Sequence, residues 1–166
     1  VAYLTFDDGP SNNITPQILD ILREQEVKAT FFVLGSRVEL YPELLKQEYD
    51  EGHYIANHGY SHNYSSVYET AQSVVDEYYR TESLIVSALN LPEYCSHLFR
   101  FPGGSQGGKY ANIKNEAKGL LEQNDVQYIN WNALTSDAVG TPTPESIMND
   151  LISTTERKKQ SSNINA

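Results

Sequence analysis

Short apolar runs alternate along this chain with longer segments in which apolar residues recur at helical spacing. The runs at residues 2–6, 28–34, 53–58 and 126–131 are rich in β-branched and aromatic side chains, which predicts strands. A further run, "HLFRFP", is expected to be a strand that leads into a glycine-rich loop. Strands that alternate with helices predict an α/β fold with a parallel sheet, either closed as a barrel or open.

The helices between these strands are predicted from their caps and apolar faces. Thr15-Pro16 and Thr143-Pro144 each combine an N-cap residue with proline at the first helical position. Pro42 is expected to begin another helix. The stretch from Val67 to Leu89 has the longest helical periodicity, and it places Glu77 on the polar, outer side.

Size and charge narrow the classes of protein that the chain can represent. A length of 166 residues with 39% hydrophobic and 20% charged residues predicts a single folded domain over residues 1–166. The formal charge of −10 argues against nucleic acid as a partner, because phosphate binding needs a basic surface. No apolar stretch approaches the roughly 20 residues of a membrane span. The oligomeric state is left open.

Polar and glycine-rich residues gather just after the predicted strands. They are Asp7 with Asp8, His58, the segment from Arg100 to Ser105, and Asp137. Because the carboxyl ends of parallel strands meet at one edge of a sheet, a functional site is expected there.

His58 and His62 lie four residues apart, a spacing that lets two imidazoles converge on one point. By themselves they could equally be two surface histidines on a polar turn. A carboxylate from a neighbouring strand end would complete a metal site with positions open for water. One of Asp7 and Asp8 could then be a metal ligand, and the other could be a base for the metal-bound water.

Three segments, "TFDDGP", "HGYSH" and "RFPGG", occur in this order at predicted strand ends. In these segments the chain closely resembles the NodB-type polysaccharide deacetylases, which form carbohydrate esterase family 4. The resemblance extends over essentially the whole chain, including "KATFFVLG" and "GHYIANH". It implies a distorted (β/α) barrel and a single NodB-like deacetylase domain.

The resemblance also implies a role for each matching residue. Asp7 would be the general base, and Arg100 would hold it ionised and oriented. Asp8, His58 and His62 would bind one divalent metal ion, with zinc expected first and cobalt, nickel or manganese as substitutes.

Further roles fall on the later motifs. The backbone N–H of Gly103 would face the developing oxyanion, and Asp137 would support the catalytic acid. Trp131 either packs in the core or forms the floor of a sugar subsite. The predicted substrate-binding residues are Pro102, Gly104 and Trp131.

The chain departs from the family pattern at several positions. The family's catalytic acid is a histidine in a strand near the C-terminus, and no histidine follows Asp137 here. "SSNINA" is expected to begin that strand, so the barrel is expected to lack its last strand and helix. Gly59, Gly103 and Ala138 replace larger side chains of the family, which is expected to loosen support around the metal and to open the sugar groove.

The resulting functional prediction is a metal-dependent hydrolase that removes N-acetyl or O-acetyl groups from a polysaccharide. Peptidoglycan, chitin-type oligomers and acetylated xylan are the candidate substrates, and their size implies an extracellular or cell-surface location. Two alternatives stay open: a catalytically weak carbohydrate-binding relative, and a small-molecule amidohydrolase of the same superfamily.

Overall fold

A computed structural model of the chain describes the backbone of residues 2–164 and the side chains of residues 2–158. The chain divides into two compact units, one ending at Ile129 and the other beginning at Asn130. The expectation of one catalytic domain over residues 1–166 stays a prediction. None of the described helices is both long and apolar enough to cross a bilayer.

The first unit contains a five-stranded sheet in which each strand pairs in parallel with the next along the chain. The strands are β1 (Leu4–Gly9), β2 (Ala29–Val33), β3 (Tyr54–Asn57), β4 (Leu98–Phe99) and β5 (Gln127–Tyr128). Sequential parallel order with helical crossovers is the arrangement of a (β/α) barrel. Within the described residues the sheet keeps two edges, β1 and β5.

One side-chain contact shows how strongly this sheet curves. Arg100, which follows β4, donates a hydrogen bond of 2.9 Å to the hydroxyl of Thr5 in β1. In a flat sheet, three spacings of about 4.8 Å would separate β1 from β4 by roughly 14 Å. The sheet therefore bends as a barrel wall does, and the predicted α/β architecture is confirmed.

Helices connect the strands and supply most of the packing. They are α1 (Ile14–Glu24), α2 (Gly35–Leu40), α3 (Pro42–Asp50), α4 (Tyr64–Val67), α5 (Ala71–Leu89), α6 (Ala111–Glu122) and, in the second unit, α7 (Pro144–Ile164). The long α5 contributes to both apolar clusters of the core. Its Ile85 packs in the cluster around β2 and α3, and its Val74 packs in the cluster around β4 and α6.

Two predicted helix boundaries are wrong, for reasons of capping. Helix α1 begins at Ile14, so Thr15 lies in its first turn, where its hydroxyl accepts a hydrogen bond from the Ser11 N–H. The predicted long helix is interrupted before α5 because the Thr70 side chain caps that helix by accepting from Ser73 N–H. Val67 consequently belongs to the short α4, which was not predicted.

The second unit contains the predicted cap of α7. Thr143 accepts from the Ser146 N–H, and the Ser146 hydroxyl accepts from the Thr143 N–H, which is the reciprocal arrangement of a capping box. The expectation that "SSNINA" starts a strand is wrong over 161–164, because α7 runs through Ile164. The last two residues of that segment lie outside the described residues.

Candidate metal and catalytic site

The two adjacent aspartates lie within β1, not after it as predicted. The register of β1 against β2 pairs Asp7 with Phe32 and Gly9 with Val33, so Asp8 is one residue too many. This β-bulge places Asp8 in the left-handed region, with φ 67°. A regular strand would send neighbouring side chains to opposite faces, whereas a bulge re-aims one of them.

The Asp8 carboxylate faces two imidazoles. Its Oδ1 lies 3.5 Å from Nε2 of His58 and 3.6 Å from Nε2 of His62. His58 follows β3 and is buried, while His62 is partly exposed and also adopts a left-handed backbone, with φ 54°. Strained backbone at two of three clustered residues is typical of functional sites.

The tautomer of His58 is fixed by its surroundings. Its Nδ1 lies 2.7 Å from the carbonyl oxygen of Arg100, and because a carbonyl can only accept, Nδ1 carries the proton. Burial lowers the pKa of His58 below its ordinary value, although Asp7 and Asp8 favour the charged form. A neutral imidazole with the Nε2 lone pair directed at Asp8 is the form that binds metals.

The ligand atoms of Asp8, His58 and His62 all lie within 4.8 Å of one another. One carboxylate and two imidazoles suit a first-row divalent ion and leave coordination positions for water and substrate. The residues therefore fit a metal centre, and the ligand set alone does not distinguish among the metals.

Asp7, the paired residue directly before the bulge, forms an ion pair with Arg100. The Arg100 Nη1 donates to Asp7 Oδ1 over 2.7 Å, and the guanidinium lies 3.8 Å from the ring centre of Phe32. Burial lowers the pKa of Arg100, while the charge and hydrogen bond of Asp7 raise it again. A buried pair of this kind is held in one geometry because breaking it would leave a desolvated charge.

The loop after Arg100 has its backbone fixed on both sides of Gly103. The Tyr68 hydroxyl donates to the Pro102 carbonyl over 2.6 Å, and the Lys114 amine donates to the Gly104 carbonyl over 2.7 Å. Gly103 has a φ of 69°, which glycine adopts without steric cost. Pro102 and Gly104 are buried, whereas Gly103 is exposed.

A depression of about 470 Å³ adjoins the metal cluster. The residues that line it are Asp8, Leu34, Ser36, Arg37, Leu40, Ser61 and His62. Leu40 is exposed, Ser36 and Ser61 supply hydroxyl groups, and Arg37 supplies a cation. A mixed apolar and polar lining beside reactive groups is typical of a ligand-binding surface.

Comparison with known proteins identifies the family to which the chain belongs. The sequence model of the polysaccharide deacetylases matches residues 1–120. The chain belongs to the polysaccharide deacetylase family. A peptidoglycan-N-acetylglucosamine deacetylase of Bacillus cereus is 38% identical over an aligned length of 144 residues, and the match covers 82% of this chain and 48% of that protein. The chain thus spans about half the length of this curated relative.

Solved structures of polysaccharide deacetylases share the fold. The catalytic domain of peptidoglycan N-acetylglucosamine deacetylase from Eubacterium rectale matches with a TM-score of 0.83 and 30% identity, over 93% of this chain and 70% of that one. A CE4 esterase of Streptococcus mutans matches with a TM-score of 0.80 and 34% identity, over 92% of this chain and 66% of that one. The predicted NodB-type fold is confirmed.

Within this member of the polysaccharide deacetylase family, the structure brings together six of the predicted site residues: Asp7, Asp8, His58, His62, Arg100 and the loop glycine Gly103. Their individual roles stay predictions, as do those of Pro102 and Gly104. Asp137 and Trp131 belong to the second unit. There Asp137 is exposed and accepts a hydrogen bond from the Thr135 hydroxyl, and Trp131 is half-buried; their roles also stay predictions.

Sequence reasoning missed the carboxylate that holds the histidine segment in place. Glu77 was placed on the outer side of its helix, but its Oε2 accepts from the N–H groups of Tyr60 and Ser61 over 2.7 and 2.8 Å. Its Oε1 accepts from the Ser61 hydroxyl over 2.6 Å. Glu77 therefore satisfies the backbone between the two histidines. Gly59 leaves room for it, because a Cβ there would lie 3.3 Å from Glu77 Oε2.

Proposed function

We propose that this chain is a metal-dependent deacetylase domain that removes N-acetyl, or O-acetyl, groups from a cell-wall polysaccharide. The observation that carries the proposal is the juxtaposition of two sets of groups at the end of β1. Asp8 lies within 3.6 Å of both imidazoles, and Asp7 makes a 2.7 Å ion pair with Arg100. Membership of the polysaccharide deacetylase family supports the same reaction.

We assign the metal to Asp8, His58 and His62, with zinc as the preferred ion. When bound, such an ion makes water more acidic and polarises an acyl oxygen. The orientation of His58 supports this assignment, because its Nδ1 proton is already engaged by the Arg100 carbonyl and its Nε2 is left to bind.

The protein groups around the metal supply proton transfer, orientation of the base and stabilisation of the developing negative charge. Asp7 accepts a proton from the attacking water and returns it to the departing amine or alcohol as the acyl bond breaks, and Arg100 holds the Asp7 carboxylate in one orientation and balances its charge. The backbone N–H of Gly103, an exposed residue, donates to the acyl oxygen as negative charge develops there. The hydrogen bonds at Pro102 and Gly104 keep this donor preorganised, so little reorganisation accompanies the reaction.

The substrate is an acetylated polysaccharide, and peptidoglycan or chitin-type oligomers are its candidates. The named activity of the Bacillus cereus relative favours peptidoglycan. Such substrates are polymers, so the domain would act outside the cell or at its surface. The depression beside Asp8 and His62, with Arg37 and Leu40, offers a binding surface for the saccharide next to the reacting sugar.

The test measures zinc content and acetate release from N-acetylated chito-oligosaccharides and from peptidoglycan. We expect about one zinc per chain, lost in Asp8→Ala and in His62→Ala. Asp7→Asn should retain zinc and lose acetate release by about 10²–10⁴-fold, because it removes the base. Asp20→Asn, an exposed change on α1, is the matched control. Unchanged zinc in both ligand variants would refute the site.

A second candidate, a carbohydrate-binding relative with weak activity, is favoured by one observation. Of the four histidines in residues 1–166, His58 and His62 are assigned to the metal, whereas His53 and His97 lie before the amino ends of β3 and β4, so none of the four is placed to protonate a leaving group at the site. Saccharide binding by the zinc-loaded chain without acetate release would favour this candidate over the deacetylase.

A further inference from the structure

The inference begins with the space beside Gly103. A Cβ at this position would lie 2.5 Å from the Tyr64 hydroxyl oxygen and 3.0 Å from Tyr64 Cζ. Real Cβ atoms essentially never approach other atoms that closely, so the phenol of Tyr64 occupies the place that a side chain at 103 would take. The expectation that Gly103 opens the groove has to be revised, because a residue from another segment fills the gap.

Tyr64 is held there by its local structure. It is the first residue of α4, and the side chain of Asn63 caps that helix by accepting from the N–H and hydroxyl of Ser65. Its ring centre lies 5.4 Å from that of His62 and 5.9 Å from that of Tyr68. The ring is thus fixed between a candidate metal ligand and a tyrosine that itself bonds to the Gly103 loop.

The polar end of Tyr64 is available to a ligand. The side chain is 42% exposed, and within the described part of the chain no group makes a hydrogen bond to its hydroxyl. The neighbouring Tyr68, by contrast, is buried and donates to a backbone carbonyl. A half-exposed tyrosine with a rigid ring and a free hydroxyl combines an apolar contact surface with a hydrogen-bonding group.

We propose that Tyr64 contacts the saccharide: its ring forms a wall of the sugar site between His62 and Gly103, and its hydroxyl hydrogen-bonds to the bound sugar. The proposal rests on the saccharide substrate of the function proposed above and not on its chemical step. It gives that site a specificity residue that comes from the segment after the second histidine, where none of the three motifs lies.

The experiment measures the dissociation constant of zinc-loaded protein for N-acetylated chito-oligosaccharide by titration calorimetry, alongside acetate release. Tyr64→Phe removes one neutral hydrogen bond and should weaken binding about 2–10-fold. Tyr64→Ala also removes the wall and should weaken it by about 10-fold or more. Zinc content should stay constant in both, which excludes an indirect effect through His62. Tyr3→Ala, before the amino end of β1, is the matched control.

A double-mutant cycle tests the packing directly. Gly103→Ala should displace the Tyr64 ring and weaken saccharide binding, whereas in the Tyr64→Ala background the same substitution should cost less, because the clashing atoms are gone. Additive losses would contradict the shared space.

The two proposals fail in different ways. A wild-type protein that binds saccharide in a Tyr64-dependent manner but releases no acetate refutes the deacetylase and leaves this inference standing. Wild-type turnover with saccharide affinity unchanged in Tyr64→Phe and Tyr64→Ala refutes the inference alone. Absence of saccharide binding in the wild type refutes it as well.

Discussion

Two buried carboxylates, one in α3 and one in α5, have opposite surroundings. Glu82, in α5, accepts hydrogen bonds from the Asn57 side chain, the Ser96 hydroxyl and the Ser96 N–H, over 2.6 to 3.0 Å. Glu48, in α3, is fully buried, and within the described residues nothing donates to either of its oxygens. Burial raises the pKa of Glu48 from 4.5 to about 8.

The difference shows that burial alone does not define the role of a carboxylate. Glu82 organises the segment that enters the metal site, because Asn57 also accepts from the Gly59 N–H and directly precedes His58. The carboxylate of Glu48 faces the end of β1, where one of its oxygens would be 3.9 Å from a Cβ at Gly9. Without donors it is compatible with the interior mainly as the neutral acid.

The largest effect on stability is expected when the hydrogen bonds that Glu82 accepts from Asn57 and Ser96 are removed. Glu82→Leu should lower the free energy of unfolding by about 3 kcal/mol or more, because it leaves the donors of Asn57 and Ser96 buried and unpaired. Urea denaturation would measure the loss. Glu82→Gln, which keeps one acceptor, should lose distinctly less. Equal losses in the two variants would mean that packing, not hydrogen bonding, explains the effect.

The next effect concerns Glu48 and depends on pH. Its folded pKa lies above its unfolded value, so the folded state holds a proton that the unfolded state releases between pH 4.5 and about 8. The wild-type protein should therefore lose stability as pH rises through this window, by up to about 1.4 kcal/mol per unit. Relative to Glu48→Met, we expect it to lose about 3 kcal/mol between pH 5 and pH 8.

Urea midpoints of both proteins at several pH values measure this difference. Glu48→Gln is the control: it should show the same pH dependence as Glu48→Met but lower stability, because its amide stays buried without partners. Parallel pH curves for the wild type and Glu48→Met would show that Glu48 is ionised and solvated in the folded protein.

The smallest effect on stability is expected from replacing Glu77. Its oxygens accept hydrogen bonds as those of Glu82 do, but the residue is only partly buried. Glu77→Ala should chiefly weaken metal binding, by about 10–100-fold, because the backbone between His58 and His62 loses its acceptors. A competition titration with a zinc chelator measures the affinity. Asp76→Ala, the exposed neighbour on the same helix, is the control. If both variants bind zinc equally, the segment holds its shape without Glu77.

The sequence was sufficient to predict the groups that meet at the strand ends. Asp8, His58 and Arg100 lie at the carboxyl ends of the parallel strands β1, β3 and β4, and this position brings them to one edge whatever the details of packing. The contribution of Glu77 could not be predicted in this way. Helical periodicity separates polar from apolar faces, but it does not reveal that a loop with unpaired N–H groups lies against the polar one.

Two other features depend on register and on segments distant in sequence. The bulge at Asp8 exists only relative to the pairing of β1 with β2, which no local pattern specifies. Tyr64 and Gly103 are neighbours only after folding, so the glycine alone indicated an empty space. The burial of Glu48 also could not be predicted, because a hydrophobic pattern identifies buried positions by their apolar side chains and Glu48 is charged in its ordinary state.

The bulge has a consequence for transplanting this site to another protein. Asp7 and Asp8 reach the same edge because β1 carries one residue more than its partner, so the pair is a property of chain length as well as of residue type. Writing the two aspartates into a regular strand would send one of them to the wrong face. A designer who copies this site must therefore insert a residue, and accept a local break in the ladder, before any substitution can succeed.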